Sequence, residues 1–66
     1  MPDLHIAIPR TCTYREAHDI VDRALMMAAI EDCGDIDAAA ERCGWKPAYF
    51  RRRMRALSIE TRIAVA

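Results

Sequence analysis

From residue 13 onward, apolar side chains recur at intervals of three and four. Ala17, Ile20, Val21, Ala24, Leu25 and Ala28 form one stripe, with Arg15, Asp19, Asp22 and Arg23 turned away from it. This spacing predicts an α-helix that buries the stripe. Thr13-Tyr14-Arg15-Glu16 reads as a capping box, in which the threonine hydroxyl accepts from the Glu16 amide while the glutamate reaches back, so the helix starts at Tyr14. Gly34 ends it. Beyond Ala24 the pattern changes, because Met26, Ala29 and Ile30 fall on what was the polar side. A single small domain does not easily cover two apolar faces, so Met26, Met27 and Ile30 are expected to form the interface of a homodimer. The competing expectation is that the segment Leu4–Ile8 folds back over that face within one chain.

Two shorter helices follow. Asp35 is a candidate N-cap for a helix with apolar positions Ile36, Ala39, Ala40 and Cys43, and Gly44 supplies the left-handed residue that stops it. The next begins with Pro47 at its first position, where the missing N–H costs nothing, and runs to Leu57 on the stripe Phe50, Met54, Leu57. The connection is Gly44-Trp45-Lys46, short enough to force a sharp crossing, the geometry of a helix-turn-helix. Trp45 is expected to plug the space between the three helices. The expected fold is therefore all-α, a three-helix helix-turn-helix domain over 13–59, divided into a long scaffold and dimerisation helix at 13–33, a helix at 35–43 and a recognition helix at 47–57. Leu4–Ile8 alternates as a half-buried strand would, so 1–12 is an arm or short β-strand. The tail at 60–66 alternates weakly; frayed ends are the plain reading of both segments, and pairing as strands, within a chain or between two chains, is the alternative.

Composition narrows the class. The 66 residues suffice for one small core and leave little room for a large catalytic cleft. The longest apolar run, Ala24–Ile30, is far short of the roughly 20 residues a membrane span needs, and no signal-peptide order opens the chain, so a cytoplasmic protein without a membrane partner is expected. Cys12, Cys33 and Cys43 are odd in number and lack zinc spacing; they are read as reduced, the latter two near the core. His5 and His18 are read as surface or boundary residues. No metal or other cofactor is expected. Nor is an enzyme: there is no Ser/His/Asp or Cys/His pair, no paired carboxylate in an apolar pocket, no glycine-rich phosphate loop and no evident small-molecule substrate.

The formal net charge is zero, but it is unevenly spread. Met1–Glu41 holds nine acidic and three basic residues, and Arg42–Ala66 holds seven basic and one acidic. The basic half culminates in Tyr49–Leu57, where five of nine residues are arginine or tyrosine. On a helical wheel Ala48, Arg52 and Arg55 oppose the apolar face, with Tyr49 and Arg51 on its flanks. Arginine forks bind guanine edges and phosphates, and the B-DNA major groove admits a single helix. In a helix-turn-helix the first turns of the second helix enter that groove, so Lys46, Ala48, Tyr49 and Arg52 are the expected base contacts, with Arg51, Arg53 and Arg55 on phosphates. The plain alternative is a solvated arginine face, or one paired with the acidic residues Asp32, Asp35, Asp37 and Glu41.

The stretch Gly34–Ile59 resembles the Fis-type helix-turn-helix, shared by the factor for inversion stimulation and the C-terminal domains of NtrC-like activators. The resemblance rests on the start at Gly34-Asp35, the Ala39-Ala40 pair, the turn at Gly44, apolar Phe50, the basic run Arg51–Arg53, apolar Met54, and Leu57 and Ile59 closing the unit. It implies a homodimer reading a near-palindromic site in double-stranded DNA, with contacts from Lys46, Pro47, Tyr49, Arg51, Arg52 and Arg53; Pro47 is expected against the backbone phosphates. Three positions depart from the family: Trp45 follows the turn glycine in place of an aliphatic residue, Tyr49 stands where threonine or serine is common, and Ser58 replaces a frequent glycine. The expected function is a sequence-specific transcriptional regulator, a repressor occupying its operator. The alternatives are an architectural or recombination accessory factor that bends DNA, and a small protein-interaction module.

Overall fold

The computed structural model describes residues 3–59. Its regular structure is three helices in sequence: α1 (Tyr14–Cys33), α2 (Ile36–Arg42) and α3 (Pro47–Ala56). Each boundary has a local chemical cause. At the start of α1 the Glu16 amide donates to Thr13 Oγ1 at 3.1 Å and the Thr13 amide donates to Glu16 Oε1 at 3.0 Å, closing the capping box. These bonds hold the Glu16 carboxyl below the usual glutamate range. Asp35 caps α2 by accepting from the Ala38 amide at 2.9 Å. Pro47 occupies the first turn of α3 behind Lys46, which offers no side-chain cap.

The helix ends follow one scheme. Gly34 at φ +67° ends α1 with its amide on Ile30 O. At α2, Gly44 takes φ +77°, its amide bonds Glu41 O at 3.0 Å and the Trp45 amide bonds Ala40 O at 2.9 Å, a Schellman closure that turns Trp45 onto the core. The same pair of bonds closes α3, from the Ser58 amide to Arg55 O at 3.2 Å and from the Ile59 amide to Met54 O at 2.9 Å. Here a serine holds the left-handed position, at φ +55°.

The core consists of Met26, Ala29 and Ile30 from α1, Ile36, Ala39 and Ala40 from α2, Phe50 and Met54 from α3, and Ile59. An isolated helix as short as α2 is unstable in water, and packing holds it in place. Its two fully buried alanines carry side chains short enough to bring it close against α1. Cys33, Cys43, Trp45 and Leu57 pack around this cluster partly buried, and all three cysteines are free. Burial, with Cys33 nearby, pushes the Cys43 thiol up.

Three sequence expectations need correction. The buried face of α1 is Asp22, Met26, Ala29 and Ile30, whereas Leu25 of the expected inward stripe is 47% exposed. Met26 and Ile30, expected at a dimer interface, therefore lie inside the chain's own core, and of that trio only Met27 is exposed. Burying Met26 and Ile30 is the better solution because the turn at Gly34-Asp35 lays the Ile36–Ala40 face against that side, and because the aspartate on it finds a cationic partner. Finally, Leu4–Ile8 forms no strand, and no strand occurs among the described residues. Leu4 reaches the groove beside Leu25, Ala28 and Trp45, away from the buried Met26 and Ile30. The strand alternative at 60–66 lies outside the described residues.

Candidate nucleic-acid interface

α3 presents two unlike faces. Phe50 and Met54 point into the core, and Ala48, Tyr49, Arg51, Arg52, Arg55 and Ala56 are exposed. The turn orients this helix. Trp45 stands edge-on to Tyr49, ring centroids 5.0 Å apart at 85°, and its ring also faces Phe50 at 6.1 Å. Trp45 thus links the buried side of α3 to the flank carrying Tyr49, whose ring stays 42% exposed.

The arginines of α3 are not equivalent. Among the described residues, Lys46, Arg52 and Arg55 have no ion-pair partner. Arg51 Nη2 donates to Asp37 Oδ1 at 2.7 Å, with both side chains more than half exposed. Such a surface pair is worth about 0–1 kcal/mol, so a phosphate competes for Arg51 at little cost. Arg53 differs in kind. Its Nη2 donates to Asp22 Oδ2 at 2.8 Å and to Asp19 Oδ1 at 3.2 Å, and its side chain is only 20% exposed. The Asp22 carboxylate beside it holds the guanidinium still more firmly in its charged form. Arg53 Nε is buried without a partner among the described residues.

Lys46, Ala48, Tyr49 and Arg52, the expected base contacts, thus share an exposed surface at the start and outer side of α3, with Pro47 at its tip. Arg51 and Arg55, one turn apart, border it on one side. Arg53 is taken up by α1. The residues that sequence reasoning missed are Asp19 and Asp22; the available signal was that Asp22 lies four before Met26, in phase with the stripe that is buried. Arg23, on the same helix, donates from Nη1 to Leu57 O, just past the end of α3. Arg42 pairs with Asp32 at 2.9 Å, tying the end of α2 to the end of α1.

No family model, curated protein or solved structure matches the chain. No helix is long and apolar enough to cross a membrane, and among the described residues no three metal-ligating side chains cluster. Functional inference therefore rests on the geometry of α2, the turn and α3.

Proposed function

We propose that the chain is a helix-turn-helix regulator that binds double-stranded DNA as a homodimer, with α3 in the major groove. The observation that carries this reading is the cationic face of α3: Lys46, Arg52 and Arg55, without an ion-pair partner among the described residues, lie beside exposed Ala48 and Tyr49, on a helix that follows a short helix and a tight glycine turn. A solvated arginine face accounts for the charge but not for that arrangement. Arg52, opposite the core face, reads a base, and Arg55 and a released Arg51, one turn apart on the same side of α3, grip phosphates there. The first turn of α3 has no side-chain cap, leaving backbone N–H groups for a phosphate. Homodimerisation draws on Met27, the exposed member of the Met26, Met27 and Ile30 trio.

The test is binding to a pool of random duplexes at two salt concentrations, with the bound fraction sequenced. A palindrome with half-sites about 10 base pairs apart, and affinity falling steeply with salt, is the expected result. Salt-sensitive binding without an enriched motif indicates an architectural factor instead. No binding at low salt removes the DNA reading and leaves the protein-interaction module, which the exposed Leu4 and Leu25 beside Trp45 favour. Within the DNA reading, Arg52→Ala costs about 1–3 kcal/mol and relaxes one base pair, whereas Arg55→Ala weakens all sequences alike.

A further inference from the structure

We propose that Asp19, Asp22 and Arg53 form a latch that sets the tilt of α3 against α1, making Arg53 a positioning residue rather than a phosphate contact. Its consequence for binding rests on the DNA reading above; the latch itself rests on contacts within the chain. One nitrogen, Nη2 of Arg53, is shared by two carboxylates three residues apart on α1, which fixes the guanidinium to a single turn of that helix. A second attachment lies four residues further along α3, where Arg23, next to Asp22 on α1, donates to Leu57 O just past the helix end. Two anchor points about one turn apart along α3 constrain its roll as well as its distance. Phe50 and Met54 alone do not, because apolar contacts are non-directional.

Burial decides whether Arg53 is free to leave. Asp22 is 8% exposed, and removing its partner strands a carboxylate away from water, a far larger penalty than breaking the exposed pair Arg51–Asp37. The other polar groups at this joint are Tyr14, Arg15 and His18 from α1 and Tyr49 from α3. His18 Nδ1 lies 3.5 Å from Asp22 Oδ2, too far to replace the guanidinium, with its side chain 58% exposed. The arginine that sequence places in the middle of the basic run is thus withdrawn from it to aim the others.

The sign of the Asp22→Asn effect separates the two roles. If Arg53 is a phosphate ligand, removing a competing negative charge tightens duplex binding, and Arg53→Lys retains most affinity. If Arg53 is the latch, Asp22→Asn weakens duplex binding about tenfold despite the more favourable net charge, and Arg53→Lys, which loses the fork, also weakens it. The second readout needs no DNA: residual dipolar couplings of α1 and α3 amides report the interhelix angle in the wild-type protein and in each variant. A changed angle with both helices intact is expected. An unchanged angle, or binding by Asp22→Asn as tight as wild type, overturns the proposal. If Asp22→Asn fails to fold, Asp19→Asn, which removes the more exposed partner, is read by the same two criteria. Failure of the wild-type protein to bind any duplex defeats the DNA reading, and the latch is then judged on the angle alone.

Discussion

α1 holds its two neighbours by different means. Toward α2 it offers Met26, Ala29 and Ile30 to Ile36, Ala39 and Ala40, an apolar contact whose strength depends on area and fit. Toward α3 it adds Asp19, Asp22 and Arg23, which meet Arg53 and the carbonyl of Leu57 through directional bonds. The first joint supplies stability and the second supplies angle. The difference matters where one helix carries the proposed binding surface: α3 is aimed by groups whose geometry is narrow, while α2, which carries none of the expected contacts, needs only to be buried.

The largest expected effect breaks the apolar joint. Met26→Ala, at a fully buried site, is expected to cost about 3 kcal/mol in urea unfolding, with little dependence on salt. Breaking the polar joint is next. Arg53→Leu is expected to cost about 2 kcal/mol because it strands Asp22, and since the pair is largely buried most of that cost persists as sodium chloride is raised. Adding Asp22→Asn is expected to recover part of it by removing the stranded charge; no recovery would remove the ionic character assigned to this joint.

Two smaller changes test the helix ends that support both joints. Ser58→Gly relieves a left-handed serine at the close of α3 and is expected to stabilise by about 0.5 kcal/mol, the strain released being partly offset by the freer unfolded chain. Thermal unfolding of the two proteins in parallel checks it. Glu16 gives the smallest effect, with a definite sign. Its folded carboxyl titrates below the ordinary glutamate value, so the stability it contributes is present above that ordinary value and lost as pH falls through the lowered one. Wild type and Glu16→Ala should therefore differ in stability at neutral pH and converge in acid.

Much of the helical plan could be read along the chain because its signals are local. Thr13 with Glu16, Asp35, Pro47 and the glycines at 34 and 44 act within a turn of where they stand, and the helix limits fall beside them. The inward face of α1 was not readable in the same way. With apolar residues on both sides of its second half, either stripe satisfies the periodicity, and the choice depends on where α2 folds back. The candidate surface divides likewise: the exposure of Ala48, Arg52 and Arg55 follows from their opposition to Phe50 and Met54, but the engagement of Arg53 depends on carboxylates 31 and 34 positions earlier.

The sequence by itself determined the helices, their caps and the concentration of cationic side chains on α3, since each depends on residues within about one turn of each other. Tertiary structure alone decided which side of α1 is core, and which arginines of α3 are engaged by carboxylates. Those outcomes are settled by pairs far apart in the chain, Met26 against α2 and Asp22 against Arg53, where burying one partner is favourable only once the other has arrived.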